Sequence, residues 1–294
     1  MTTQAYQIEN GAGFIAALDQ SGGSTPRSLR LYGISDDAYA NDSDMFDLIH
    51  AMRERIATAP SFTGAKVLGA ILFEMTTDRE FNGKPAAQYL WEDKGVVPFL
   101  KVDKGLEENK DGTQLMKPID GLGKRLKRAR DLGIFGTKMR SVIHAADKTG
   151  IAANVAQQFQ IGQEILGHGL TPILESEVNI DIPDKAEAEA ILLEELQSGL
   201  DALPQDARIM LKLSLPSHAN LYAPFIGHPK VLRLVALSGG YRQREAIELL
   251  AKNDGMIASF SRGLTEGLNV GQTDLEFEAY LGGTIDAIYQ ASTV

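Results

Sequence analysis

Acidic and basic side chains stand inside or directly after short runs of residues that are otherwise apolar. Within a run the charged positions are two residues apart, and alternate residues of a β-strand share one face of the sheet. The residues that this spacing brings together are Asp19, Lys101 with Asp103, Lys138 with Arg140, Glu175 with Glu177, and Lys212 with Ser214. Burying so many ions is costly unless each has a partner. The pattern therefore predicts a functional cluster rather than a set of isolated structural ion pairs.

The composition points to a lysine as the reactive group. The chain has no Cys, and its five His residues form neither an H-x-H nor an H-E-x-x-H pair, so thiolate chemistry is excluded and no metal site is predicted. A lysine beside another cation in a water-poor site has its ammonium form disfavoured, and its free amine can form a Schiff base. Lys212 is the predicted nucleophile, with Lys138 as the neighbouring cation. Glu175 and Glu177 are predicted to supply the acid and base, and no cofactor is expected.

Two Gly- and Ser-containing segments near the end of the chain suit a phosphate group. Ser238-Gly239-Gly240 and Ser259–Gly263 each follow an apolar run. In barrel enzymes the loops after the seventh and eighth strands commonly bind phosphate through backbone N–H groups. Gly allows close approach of the backbone, and Arg262 can bind phosphate oxygens through two parallel hydrogen bonds. By itself, however, Ser-Gly-Gly is also an ordinary turn between a strand and a helix.

Positioning these side chains requires strands that all end on one edge of a sheet. Runs of strand length alternate with longer stretches in which apolar residues recur at helical spacing. The predicted strands are 13–18, 66–73, 96–102, 133–140, 171–178, 208–215, 231–238 and 256–261. The predicted helices are Asp44–Ala59, Pro85–Trp91, Ile119–Leu132, Ile151–Leu166, Lys185–Leu203, Arg242–Ala251 and Leu275–Tyr289.

This alternation predicts an α/β protein with a (β/α)8 TIM barrel, formed as a single domain over residues 1–294. The competing fold is an open, doubly wound sheet. Its Gly-rich fingerprint is absent, because Ser21-Gly22-Gly23-Ser24 after the first strand lacks the required spacing. In a barrel the charged residues would meet at the C-terminal mouth, where barrel enzymes carry out their chemistry.

Charge and hydropathy indicate where such a protein works. The chain has 29 Lys and Arg residues and 39 Asp and Glu residues. Its net charge of −10 argues against a nucleic-acid partner. The start of the chain lacks the pattern of a secretory signal, and no apolar run has the length of about 20 residues that a membrane helix needs. We therefore expect a cytoplasmic protein without a membrane partner. The sequence does not indicate its oligomeric state.

The ordered motifs resemble those of class I fructose-bisphosphate aldolases over nearly the whole chain. The matching segments are ALDQSGGS (17–24), ILFE (71–74), KVDKG (101–105), DGL (120–122), KMR (138–140), PILESE (172–177), LKLS (211–214), LSGG (237–240) and SFSRGL (259–264). The resemblance implies reversible cleavage of fructose 1,6-bisphosphate into dihydroxyacetone phosphate and glyceraldehyde 3-phosphate. It also implies that a sugar phosphate is the small-molecule partner.

Carried over to this sequence, the resemblance makes Lys212 the Schiff-base lysine and Glu175 the principal acid and base. Glu177 would support them, Lys138 would lie beside the imine, and Asp19 would take the proton of the C4 hydroxyl. Ser238, Gly239 and Arg262 would hold the C1 phosphate, and the residues at the other end of the substrate would be Ser21, Ser24, Lys101 and Arg140.

The sequence also departs from the animal enzymes of that family. Gln20 stands where they have Glu, Ser261 stands where they have Gly, and Lys212 is followed by Leu-Ser instead of Pro-Asn. The chain ends at Val294 without their long C-terminal tail ending in Tyr, and we expect it to belong to a shorter bacterial branch. The alternatives are another Schiff-base lyase or transaldolase acting on a sugar phosphate, or a phosphosugar-binding protein without catalytic activity.

Overall fold

The computed structural model describes residues 3–294, and its main element is a barrel of eight parallel strands. Each strand pairs with the next one along the chain. Between the last strand and the first, the N–H of Ala17 donates to the carbonyl of Phe260 at 3.4 Å. The strands are β1 Phe14–Leu18, β2 Val67–Leu72, β3 Val97–Lys101, β4 Gly136–Ile143, β5 Thr171–Val178, β6 Ile209–Ser214, β7 Val231–Leu237 and β8 Ile257–Ala258. The predicted (β/α)8 barrel is thus confirmed.

Helices cover the outside of the barrel. They are α1 Gln4–Asn10, α2 Thr25–Leu31, α3 Asp42–Thr58, α4 Glu74–Thr77, α5 Ala86–Glu92, α6 Leu122–Asp131, α7 Lys148–Gly167, α8 Lys185–Ala202, α9 Gln243–Leu250, α10 Arg262–Thr265 and α11 Asp274–Ala291. Short 3-10 helices span Asp36–Ala38 and Ala223–Phe225, a hairpin pairs Glu80–Phe81 with Lys84–Pro85, and a short strand, Thr113–Gln114, pairs with β4. Among residues 3–294, no helix is long and apolar enough to cross a membrane.

Two apolar layers result from the alternation of side chains along the strands. Leu211 and Leu213 face outward and belong to the large core between strands and helices, as their parity predicts. Ile173 and Met210 face inward and belong to a second cluster inside the barrel. These two residues precede Glu175 and Lys212 by two positions. The inner apolar cluster therefore lies directly below the charged side chains of the barrel. Because the outer core continues from α3 to α11, we propose that the chain forms one domain.

Helix α1 closes the lower end of the barrel. Ile8 is fully buried in the inner apolar cluster. Arg233 on β7 donates from Nε to the carbonyl of Ile8 and from Nη2 to that of Gly11, both at 2.8 Å. A cation at the C-terminal end of a helix satisfies unpaired carbonyls and interacts favourably with the helix dipole. Helix α1 therefore keeps solvent away from the inner apolar cluster below the charged side chains.

Several element boundaries differ from those the sequence predicted. β4 begins at Gly136 instead of residue 133, because Gly133 has φ 76° and terminates the turn after α6. The run 256–261 forms a strand only at Ile257–Ala258, since α10 starts at Arg262. Helices α1 and α2 were not predicted; Pro26 in the first turn of α2 was the available signal.

Candidate active site

The carboxyl ends of the strands open into one cavity of about 640 Å³. This cavity brings together all the residues that the sequence analysis assigned to catalysis or substrate binding. They are Asp19, Ser21, Ser24, Lys101, Lys138, Arg140, Glu175, Glu177, Lys212, Ser238, Gly239 and Arg262. The first and last of these are more than 240 positions apart in the chain, so the barrel itself creates the site.

Two lysines and two carboxylates form a cluster at the base of the cavity. Lys138 Nζ lies 2.7 Å from Asp19 Oδ2 and 2.8 Å from Glu175 Oε2. Lys212 Nζ lies 3.2 Å from the other oxygen of Glu175, Oε1. None of the four residues is more than 8% exposed. Glu175 therefore bridges both lysines, and Lys138 bridges both carboxylates, whereas within residues 3–294 Lys212 has an ion pair with Glu175 alone.

The strand register explains this arrangement. Glu175 on β5 is level with Lys212 on the neighbouring β6, so their side chains enter the barrel side by side. Lys138 on β4 is level with Ile173, and its longer side chain reaches Glu175, two residues nearer the mouth. Lysine has four methylene groups, which allow its ammonium to reach the level of a carboxylate further along the adjacent strand.

Opposing effects of burial and charge determine the protonation of the cluster. Burial raises the pKa of Asp19 and of Glu175, but the positive charges of Lys138 and Lys212 outweigh it, and both values lie below the ordinary range. Burial lowers the pKa of Lys138, but the charges of Asp19 and Glu175 outweigh it and the net shift is upward. At neutral pH Lys138 is therefore a cation and Glu175 an anion. Glu175 is thus able to accept a proton from the amine of Lys212.

Two further ion pairs lie nearer to the opening of the cavity. Lys101 Nζ is 2.6 Å from Asp103 Oδ1, and Arg140 Nε donates to Glu177 Oε2. Burial lowers the pKa of Arg140, but its bond to Glu177 and the nearby carboxylates outweigh burial and raise the pKa above the ordinary value. Glu177 thus contacts Arg140, whereas the sequence had placed it in support of Lys212. The guanidinium of Arg140 remains partly exposed to the cavity.

The two loops predicted to hold phosphate lie on the opposite side of the cavity. Gly239 and Gly240 have φ values of 58° and 122°, which side-chain-bearing residues rarely adopt. Arg262 begins α10, and its Nε is 4.0 Å from Glu266, so most of its hydrogen-bonding capacity faces the cavity unused. Ser259 also lines the cavity, and its buried Oγ has no hydrogen-bond partner within residues 3–294.

The loop after β1 and the first turn of α2 form the third wall. Ser24 Oγ accepts from the N–H of Ser21 at 3.1 Å, so the two predicted serines shape one turn. Arg27, which the sequence analysis did not single out, lines the same cavity. Ser24 and Arg27 are three residues apart and share a face of the chain at the start of α2. Recognising α2 from Pro26 would have placed Arg27 on the same helix face as Ser24.

The fold and this site define the class of the protein. A (β/α)8 barrel with an ionisable cluster at the carboxyl ends of its strands is the architecture of a barrel enzyme. Residues 2–214 match the family model described as fructose-bisphosphate aldolase class-I. The chain belongs to the class I fructose-bisphosphate aldolase family, as its motifs indicated.

One relative of known sequence supports the family, and two solved structures support the fold. The chain is 55% identical over 289 residues to fructose-bisphosphate aldolase class 1 of Synechocystis sp., covering 98% of this chain and 96% of that protein. The fold is similar to that of a fructose-bisphosphate aldolase from Plasmodium falciparum, solved with TRAP and a small-molecule inhibitor. That similarity has a TM-score of 0.77 at 20% identity and covers 99% and 93% of the two chains. A protein from Corynebacterium glutamicum shares the fold more distantly, with a TM-score of 0.54 at 13% identity over 98% and 91%.

Proposed function

We propose that this class I fructose-bisphosphate aldolase cleaves fructose 1,6-bisphosphate through a Schiff base on Lys212. The observation that carries the assignment to Lys212 is its ion pair with Glu175 at 3.2 Å, the one it forms within residues 3–294, in a pocket where Lys138 contacts both carboxylates. An amine next to a carboxylate that can take its proton meets the requirement for a nucleophile with an adjacent base. Lys138 is held as a cation and cannot readily offer a free amine.

In the first stage Lys212 attacks the C2 ketone of the open-chain sugar. Glu175 takes the proton that the attacking nitrogen loses and delivers it to the C2 oxygen, which gives the carbinolamine. A second proton, taken up from solvent through the same carboxylate, converts the C2 hydroxyl to water, and the final hydrolysis of the iminium releases that proton again. One carboxylate can perform both transfers because its oxygens lie within reach of the amine and of a group bound to the same carbon. The ammonium of Lys138 stabilises negative charge that develops on the carbonyl oxygen.

In the second stage the iminium accepts the electrons of the C3–C4 bond. Asp19, whose pKa is lowered by Lys138, takes the proton of the C4 hydroxyl, and the C4 oxygen becomes the aldehyde of glyceraldehyde 3-phosphate. The enamine that remains on Lys212 takes a proton at C3. Addition of water to the resulting iminium then releases dihydroxyacetone phosphate and regenerates the amine. The atoms balance without an oxidant, a metal or a cofactor.

The two ends of the cavity suit the two phosphates of the substrate. Ser238, Gly239 and Arg262 would bind the C1 phosphate, with Arg27 as a further cation on the neighbouring wall. Lys101 and Arg140, with Ser21 and Ser24, would bind the C6 phosphate end. A ligand phosphate would compete with Glu177 for Arg140. In the free enzyme Glu177 can therefore occupy the place beside Arg140 that the phosphate takes when substrate binds.

The family acts on a sugar phosphate, and we propose that the chain works in the cytoplasm. We also propose that it has no nucleic-acid partner, since its net charge is −10.

The proposed chemistry predicts that chelators do not inhibit the enzyme. A coupled assay should show cleavage of fructose 1,6-bisphosphate that survives extensive EDTA treatment, because the iminium takes the role that a Lewis-acid metal would otherwise fill. Loss of activity on chelation, restored by a divalent ion, would contradict the Schiff-base mechanism.

Arg262→Ala should weaken substrate binding with little effect on stability. A charge-assisted hydrogen bond contributes about 1.5–3 kcal/mol, so KM for fructose 1,6-bisphosphate should rise about 10- to 100-fold. The matched control is Arg244→Ala, which removes an arginine that is also paired with a glutamate four residues on, but lies outside the cavity. If both variants keep a KM within about twofold of the wild type, Arg262 does not bind the phosphate.

A further inference from the structure

One buried cation near the site has no role in the proposed chemistry. Arg53 on α3 is 0% exposed, yet within residues 3–294 it forms no ion pair with a carboxylate. Burial lowers its pKa to about 10, and the charge of Asp19 partly offsets that effect, so Arg53 is still a cation at neutral pH. An unpaired buried charge is costly, and a hydrophobic residue would serve packing better at this position.

The hydrogen bonds of Arg53 converge on the loop that carries Asp19. Its Nη2 donates to the carbonyl of Gln20 at 2.6 Å and to Gln20 Oε1 at 3.3 Å. Its Nη1 donates at 2.8 Å to Oγ1 of Thr76, in the short helix after β2. The carbonyl of Gln20 belongs to the peptide bond between Gln20 and Ser21, so holding it restrains the backbone directly after Asp19. The guanidinium thus ties the exits of β1 and β2 to α3.

Gln20 extends this connection to the neighbouring loop after β8. Its Nε2 donates to Ser261 Oγ at 2.8 Å, and Ser261 immediately precedes Arg262. The contact from Arg53 to Oε1 leaves the amide nitrogen of Gln20 free to donate, so the guanidinium also orients the amide. The side chains of Arg53, Gln20 and Ser261 therefore link α3, the segment directly after β1 and the loop that carries Arg262.

We propose that Arg53 is a positioning residue that acts through Gln20 to hold Asp19 and the Arg262 loop at a fixed separation. This inference rests on the proposed roles of Asp19, Lys212 and Arg262. The separation matters because Asp19 must meet the C4 hydroxyl of a substrate whose C1 phosphate would be anchored by the neighbouring loop after β8. A displacement of about 1 Å at a reacting group can cost about 100-fold in rate.

The test separates imine formation from cleavage of the carbon–carbon bond. Arg53→Lys keeps the charge but cannot reach Gln20 and Thr76 with one planar group. We expect kcat for cleavage of fructose 1,6-bisphosphate to fall about 30-fold. Borohydride trapping with saturating dihydroxyacetone phosphate needs Lys212 and Glu175 but no C4 hydroxyl, and its rate should stay within about twofold of the wild type. The control is Arg55→Lys, on the same helix, whose guanidinium contacts Gln272 and Asp274 far from β1.

The outcomes are distinguishable. A selective loss of cleavage supports the proposal. Equal loss of cleavage and trapping, or no loss of either, overturns it and leaves Arg53 as a structural residue. Absence of trapping in the wild type would instead overturn the function proposed for Lys212.

A second variant keeps the proposal testable if Arg53→Lys does not fold. Gln20→Ala retains the backbone carbonyl that Arg53 holds but removes the amide that reaches Ser261. We expect KM to rise about tenfold while kcat falls by less than about threefold, because only the phosphate side of the link is lost. Unchanged KM and kcat would show that the hydrogen bond from Gln20 to Ser261 affects neither substrate binding nor catalysis.

Discussion

Lys212→Met should abolish labelling of the protein by borohydride in the presence of dihydroxyacetone phosphate and lower kcat by about 10⁴-fold or more. Methionine occupies a similar volume but has no amine, so neither the carbinolamine nor the imine can form. Mass spectrometry of the reduced wild-type adduct should place the label on Lys212. A label on Lys138 or Lys101 would contradict the assignment of the nucleophile while leaving the family assignment intact.

The matched control is Lys138→Met, which removes the other buried lysine of the cluster. Lys138 contacts both Asp19 and Glu175, so its loss removes the larger of the two lysine charges that hold both carboxyl pKa values down. We expect slower catalysis with some remaining capacity for imine formation, because the amine of Lys212 is still present. Equal loss of trapping in both variants would show that the two lysines cannot be assigned separate roles.

Glu175→Gln should reduce kcat by about 10³-fold, the contribution typical of a well-placed general acid and base. The amide is close in size to the carboxylate, but it can neither accept the proton of Lys212 nor return it to the carbinolamine. The slowest step should become dehydration, so the rate of borohydride trapping should fall together with kcat.

The control for this variant is Glu177→Gln. Glu177 faces the same cavity two residues further along β5, but it contacts Arg140 and not the lysines. We expect its substitution to change KM more than kcat, because Arg140 is predicted to bind the distal phosphate. A kcat loss as large as that of Glu175→Gln would mean that the two carboxylates share the proton transfers.

Glu175→Gln should also change the dependence of stability on pH. The folded-state pKa of Glu175 lies below the ordinary value of 4.5, so its ionised form stabilises the folded state above about pH 4.5. This contribution is lost as pH falls through the folded-state pKa. The wild type should therefore have a higher Tm than the variant at neutral pH, and thermal scans should show the difference shrinking below about pH 4.5.

Much of the fold could be predicted because its signals are local. Val-, Ile- and Leu-rich runs alternate with helical periodicity, and each of the eight predicted strands overlaps an observed one. Elements without such a signal were missed. Helix α1 spans seven residues with a single buried side chain, Ile8, so no periodicity could reveal it. Its position depends on Arg233, more than 220 residues away.

The motifs also located the cavity residues but not all of them. Arg27 belongs to a short helix marked only by Pro26, and Arg53 looks in the sequence like one of several charged residues on the surface of an amphipathic helix. In the structure Arg53 is fully buried and Arg55 is partly exposed. Residues two positions apart differ by about 200° around a helix axis, so Arg53 and Arg55 point to nearly opposite sides, and the packing of α3 against the barrel places Arg53 inside.

The sequence by itself determined which side chains face the inside of the barrel, because the alternation of a strand depends only on neighbouring residues. Tertiary structure alone decided which ions pair. Arg140 is level with Glu175 across the β4–β5 pair, yet its guanidinium contacts Glu177, and Glu175 instead bridges Lys138 and Lys212. These choices depend on strand order, register and side-chain reach, since a buried charge adopts the partner that offsets the loss of its hydration.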